Sequence, residues 1–178
     1  AARGGRGDGS LVYVKSNTQP DWYNLPSQPS YTKYDATVYK GWIDKALSMN
    51  AWTTMQIHGI GDPSTGFEPV PGNTFIEVLD YLKNREDAGL WVAPFGEVAA
   101  YFRAQKIVEA AQPQVANGEK KFTWQVPAPF PHGVALKVAV NGPTRVRLYQ
   151  LGRELRRGKE GIYSVAFDSG ELVVKGDL

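Results

Sequence analysis

Trp52-Thr53-Thr54-Met55-Gln56-Ile57-His58-Gly59-Ile60-Gly61-Asp62 is the stretch whose reading decides the fold. Residues 52–58 are a short β-rich run, and a glycine-bearing turn follows directly. The run ends in His58, one of two histidines in the chain. In folds that alternate strands and helices, reactive side chains gather at the carboxyl ends of strands, where loops open into a pocket. Gly59 and Gly61 would let backbone approach a ligand closely. A histidine that merely closes a strand by hydrogen bonds has the same sequence signature, so a structural and a chemical role both stand at this point.

Outward from this stretch, strands and helices alternate. Residues 10–15 (SLVYVK) have strand character, and residues 35–47 place Ala36, Tyr39, Trp42, Ile43, Ala46 and Leu47 at helical spacing. Thr74-Phe75-Ile76-Glu77 matches a capping box, after which Phe75, Val78, Leu79 and Leu82 form an apolar stripe and Gly89 suits the stop. Residues 90–95 (LWVAPF) read as a nearly all-apolar strand, and residues 96–111 as a further helix. Continuous apolar strands between capped helices predict an α/β fold with a parallel sheet covered by helices. Three strands before residue 95 are too few to close a barrel. Either residues 16–33 hold more strands, or a preceding segment or another chain completes the sheet. The opening Ala1-Ala2-Arg3-Gly4-Gly5, with neither Met nor a signal sequence, favours the second reading.

The pattern changes at residues 112–118 (QPQVANG), a polar stretch with Pro and Gly that reads as a boundary. Beyond it the period is two: Val134, Leu136, Val138 and Val140 alternate with Ala135, Lys137 and Ala139. Asn141-Gly142 supplies a turn and Asp168-Ser169-Gly170 a tight hairpin loop. The expectation is therefore two domains, 1–111 and 119–178, the second a small antiparallel, sandwich-like β module. Charge divides in the same place. Residues 1–118 carry 10 Lys/Arg against 12 Asp/Glu, and residues 119–178 carry 10 against 6. The basic run 153–159 (RELRRGK) lies between strand-like segments without interleaved aromatics, which reads as a solvated hairpin and not a nucleic-acid patch. His132, in a proline-rich turn, reads as structural or exposed.

Composition narrows the function classes further. The chain has 178 residues, 42% of them hydrophobic, enough to bury a core. No run approaches the roughly 20 apolar residues of a membrane span. The absence of cysteine excludes disulfides, thiol nucleophiles and cysteine-ligated zinc.

Three pieces in order carry a family resemblance: residues 52–62, residues 74–82 and residues 90–101 (LWVAPFGEVAAY). Together they resemble the C-terminal half of the NodB-like polysaccharide deacetylases, carbohydrate esterase family 4. The resemblance covers about residues 1–110 and implies the C-terminal part of a distorted (β/α) barrel followed by the β module. Met55-Gln56-Ile57-His58 matches the family's hydrophobic-x-x-His motif with Met in place of the usual Leu, which would make His58 the catalytic acid. Arg3 looks like the arginine that often follows a central strand of that barrel. Pro20-Asp21-Trp22-Tyr23 resembles the family's aromatic motif without its earlier Asp. Arg3, Trp22, Tyr23, Met55 and Ile57 would then line a substrate groove, since planar rings cover the apolar faces of sugars.

The family's Thr-Phe-Asp-Asp-like and His-Ser/Thr-x-x-His-like segments occur nowhere in the chain, and two histidines cannot assemble a His/His/Asp site. The resemblance thus implies hydrolysis of acetyl groups from a polysaccharide or oligosaccharide, with a divalent metal, zinc in this reading, whose ligands are not in this chain. A companion N-terminal half would supply them. No nucleic acid is implied, and an enzyme acting on polymers would be extracellular or periplasmic. Two rivals stand beside this. One is a catalytically silent carbohydrate-binding protein. The other is a glycosidase, for which Asp62 and Glu68 are the nearby carboxylates. Arg6-Gly7-Asp8 is an adhesion-like triplet that chance explains.

Overall fold

The computed structural model describes residues 1, 4, 12–62, 64, 66–140 and 146–176, in two compact units, Ala1–Phe95 and Gly96–Leu178. In the first unit, β1 (Val14–Lys15) pairs antiparallel with β3 (Ala51–Trp52), and β2 (Gln28–Pro29) pairs parallel with β4 (Met55–Gln56). The helix expected over 35–47 is α1 (Ala36–Ser48). Asp35 caps it from an extended conformation, its carboxylate accepting the Thr37 hydroxyl and also the Thr37 amide at 3.0 Å, and these bonds, the hydroxyl's foremost, hold the Asp35 carboxyl below its usual pKa. Lys45 lies in the last turn, where a cation complements the helix dipole.

The second helix, α2 (Gly72–Lys83), begins two residues ahead of the expected capping box. Pro71 starts it, and its carbonyl accepts the Phe75 amide at 2.9 Å, so Thr74 lies inside the first turn. Glu77 meets Lys40 of α1 instead of folding back on a cap. Phe75, Val78 and Leu82 turn inward as the stripe requires, whereas Leu79 is 46% exposed. Gly89 closes a separate 3-10 turn (Glu86–Ala88) in the left-handed conformation at φ 85°.

The core of this unit is Ala36, Tyr39 and Ile43 of α1 against Val70 and Val78, with Tyr34, Trp42, Met55 and Phe75 packed around them. Tyr39 is only 1% exposed, and its hydroxyl makes no hydrogen bond among the described residues. Burial accordingly raises the phenol's pKa. Tyr39→Phe should therefore stabilise the protein by about 1 kcal/mol, by deleting an unpaired buried hydroxyl while keeping the ring. Its urea unfolding midpoint should rise at unchanged m-value, and a lowered midpoint would contradict this.

The barrel expected from the sequence is not formed. Among the described residues, parallel pairing is limited to β2 with β4 and to an isolated bridge between Ile60 and Val70. The apolar run 90–95 makes no strand: Trp91 and Val92 are 52% and 60% exposed, and Pro94 has no amide to donate. Strands of two residues that pair in separate two-stranded sheets cannot close into a ring. The molecule is a mixed α/β protein with small sheets. A strand does lie within residues 16–33, the alternative that the chain's opening had been read against: β2 is the partner of β4.

The second unit contains most of α3 (Phe95–Ala110), whose Ala104 is fully buried beside Leu136 and Phe167. The division therefore falls ahead of the 112–118 stretch. That stretch is itself structured: β5 (Gln114–Ala116) and β6 (Glu119–Thr123) form a hairpin across Asn117-Gly118, both at positive φ. The remaining strands are β7 (Ala135–Ala139), β8 (Arg147–Gln150), β9 (Arg153–Glu154), β10 (Ile162–Ala166) and β11 (Glu171–Lys175). All pairings are antiparallel, in one sheet of order β5-β6-β11-β8-β9 and one of order β10-β7. Leu148 and Leu172 of the first sheet pack on Tyr163 and Val165 of the second. Asp168-Ser169-Gly170 carries the chain from one sheet to the other and is not a hairpin loop. Buried Gln150 spans the same gap, donating to the carbonyls of Ala166 and Glu171 at 2.9 Å and accepting the Ala166 amide. Asn141-Gly142 lies outside the described residues, as does Arg6-Gly7-Asp8. No described helix is long and apolar enough to cross a membrane.

Candidate functional site

Because β2 and β4 run parallel, the segments that follow them, 30–34 and 57–62, leave from the same end. The ladder is extended by Gln28 donating to the Thr54 carbonyl at 2.7 Å and Ser30 to the Gln56 carbonyl at 2.9 Å. The chain then returns through residues 66–70. Val70 donates to the Gly59 carbonyl and Gly61 to the Val70 carbonyl, at 2.8 and 2.9 Å. Gly61 sits at φ 139°, which a side chain would disfavour. Gly59 has no such requirement, since a Cβ there would meet Pro69 only at 3.8 Å. Glu68 locks the arrangement from above: its carboxylate accepts the Thr32 amide at 2.7 Å. Below it, fully buried Ser30 donates its hydroxyl to the Gln56 carbonyl at 2.8 Å and Ser27 donates to the Gly4 carbonyl at 3.2 Å.

His58 stands exposed at this end of β4. Its neighbour is the ring of Phe67, edge-on at 5.1 Å, and Phe67 is itself 73% exposed. No hydrogen bond joins His58 to another described residue, so its imidazole is open to an incoming group. Ile57 is 37% exposed beside it, whereas Met55 is half-buried and packs into the core with α1 and α2. Trp22 and Tyr23 sit on a turn in which Asp21 accepts the Tyr23 amide at 2.9 Å. Trp22 is half-buried and Tyr23 is 83% exposed, and neither a hydrogen bond nor a ring contact joins Tyr23 to His58. Arg3 lies outside the described residues. The structure thus brings Ile57 and His58 to one strand end and leaves Tyr23 on a turn of its own.

The two nearby carboxylates have local partners. Asp62 accepts the Ser64 amide at 2.9 Å and its hydroxyl at 2.7 Å, which keeps its pKa below the usual carboxylate value. Glu68 is held by Thr32. Among the described residues no three His, Asp or Glu side chains gather to hold a metal ion, and His58 faces a ring, not a carboxylate. The described residues therefore assemble no zinc ligand set, and the ligands that the resemblance implies are expected outside this chain.

Sequence reading overlooked the Thr32–Glu68 bond and the His58–Phe67 contact. The first joins residues 36 positions apart, beyond any local pattern. The second had a faint signal, an aromatic residue next to a carboxylate in a glycine- and proline-rich turn. In the second unit, His132 is 98% exposed, with Nδ1 3.8 Å from Asp168. Both border a cavity of about 400 Å³ formed with Val126, Pro127, Pro129 and Phe130. No family model, no curated protein and no solved structure matches the chain.

Proposed function

We propose that the protein takes part in hydrolysing acetyl groups from a polysaccharide or oligosaccharide, with His58 as the proton donor to the departing sugar oxygen or nitrogen. The observation that carries this reading is the open imidazole at the carboxyl end of a parallel strand pair, ringed by loops that Glu68 and Thr32 tie together. A general acid needs this accessibility, because it must reach the leaving atom of a bulky substrate. Activation of the attacking water falls to groups outside the residues described, supplied by a further segment or a companion chain. Action on a polymer would place the protein outside the cytoplasm.

The native protein, isolated without denaturation, is expected to release acetate from acetylated xylan or chito-oligosaccharides when zinc is supplied. No acetate from either substrate would overturn the reading. A binding role without catalysis is favoured by one observation, the exposure of Tyr23 and Phe67, since such rings can stack on sugar faces. That alternative predicts saturable oligosaccharide binding with no acetate release.

A further inference from the structure

The basic run 153–159 is a built feature of the second unit. β8 and β9 turn back on each other across Leu151-Gly152, both at positive φ, and Leu155 donates to the Leu148 carbonyl at 2.7 Å. The loop then closes through Gly158, whose amide meets the Ile162 carbonyl at 2.8 Å. A Cβ on Gly158 would lie 2.7 Å from that same oxygen, so only glycine fits. The guanidinium of Arg157 lies across Gly161. Leu155 turns into the core while Arg153, Arg156, Arg157 and Lys159 remain exposed.

What sets these four cations apart is their crowding into one ordered turn of seven residues with no counter-ion among the described residues. On the sheet that carries β8 and β9, Lys121 pairs with Glu171 at 2.8 Å, Lys175 with Glu119 at 2.6 Å and Arg147 with Glu154 of β9 at 3.1 Å. Those pairs neutralise the sheet face. Of the carboxylates in residues 146–176, Glu154 and Glu171 are thereby engaged and Asp168 accepts the Gly133 amide, which leaves only Glu160 in the loop. None of the four hairpin cations makes an ion pair among the described residues. An ordered hairpin with unneutralised charge, three of its four cations arginine, suits planar, bidentate anions.

We infer that this hairpin binds the carboxylates of an acidic polysaccharide and so holds a polymer on the β module. The choice of a sugar polymer rests on the proposed function. The charge argument alone would also admit nucleic acid; no aromatic residue in 153–159 offers a face for stacking unpaired bases, and duplex DNA is a competitor in the test below. A carboxylated glycan asks only for the guanidinium forks.

The full chain is tested by titration with polygalacturonate, with its fully methyl-esterified form, and with double-stranded DNA. Polygalacturonate should bind at least about tenfold more tightly than the neutral ester, and raising NaCl from about 0.05 to about 0.5 M should weaken it strongly. Arg153→Gln, Arg156→Gln and Lys159→Gln together should cost about tenfold, the combined weight of three exposed charge contacts. Arg157 is left in place because of its contact with Gly161. A control that removes three exposed cations elsewhere, Lys15→Gln, Lys83→Gln and Lys137→Gln, should bind as the wild type does. Arg156→Gln alone, at an exposed position, should show part of the loss and guards against a folding defect in the triple variant. Equal binding of acid and ester, equal loss in the control, no loss in the hairpin variants, or tighter binding of DNA would each overturn the inference. None of these measurements needs acetate release, so the hairpin and the catalytic reading can fail separately.

Discussion

His58→Ala is expected to lower kcat for acetate release by at least ~10², with KM within about threefold of the wild type. A sugar alkoxide or amine is a poor leaving group unless it receives a proton as its bond to the acyl carbon breaks. An imidazolium within hydrogen-bonding reach of that atom supplies the proton, worth roughly 10²–10⁴ in rate, or about 2.7–5.5 kcal/mol of barrier. His58 has the geometry for this because no carboxylate or carbonyl among the described residues occupies its ring nitrogens. The effect should appear in kcat, since proton donation is made in the transition state and not on substrate binding. Phe67→Ala, which removes only the ring beside the histidine, should change kcat far less. Activity of His58→Ala within about threefold of wild type would remove the histidine from the chemistry.

How much of this was legible beforehand depended on the range of the interaction. α1 was readable because its cap, its 3.6-residue apolar spacing and its final lysine all lie within one segment. The start of α2 was misread because Thr74-x-x-Glu77 satisfies the capping pattern, whereas Glu77 is drawn across to Lys40 on another helix. Of the second unit's strands, β7, β8 and β10 alternate, as half-buried antiparallel strands do. Yet the same Asn-Gly signal accepted at 141–142 was read at 117–118 as part of a linker, although it is the turn between β5 and β6. The barrel expectation failed for a different reason. An apolar run such as 90–95 is compatible with a buried strand, a buried helix or an exposed segment, and composition cannot choose among them. For the site, His58 and its glycine turn were visible in the sequence. Met55, expected to line a groove, is half-buried and packs against the core formed with α1 and α2. The Thr32–Glu68 bond depends on two loops meeting in space and left no trace in sequence spacing.

Phe167→Ala should cost the second unit about 3–5 kcal/mol, the range for removing a fully buried aromatic side chain. Phe167 is 0% exposed and lies where three features of that unit meet. Its ring stacks on Trp124 at 6.1 Å and leans on Phe130 at 4.7 Å, and it shares a cluster with Leu136 of β7 and Ala104 of α3. Its backbone is equally engaged. The amide donates to the Val134 carbonyl at 2.8 Å, and its carbonyl accepts the Trp124 indole at 2.8 Å. Truncation keeps those backbone bonds in place, so the surrounding chain cannot collapse freely into the space the ring leaves. That places the expected cost at the upper end of the range. Against a total stability of roughly 5–15 kcal/mol, a loss of this size should be plain in a denaturant titration followed by tryptophan fluorescence. Phe167→Leu keeps most of the volume and should lose less than about 1.5 kcal/mol. If α3 belongs to this core through Ala104, helical signal should melt together with the Trp124 signal in the alanine variant. A loss below about 1 kcal/mol, or helix and indole signals that separate, would mean that Phe167 is not the residue holding helix and sheets together.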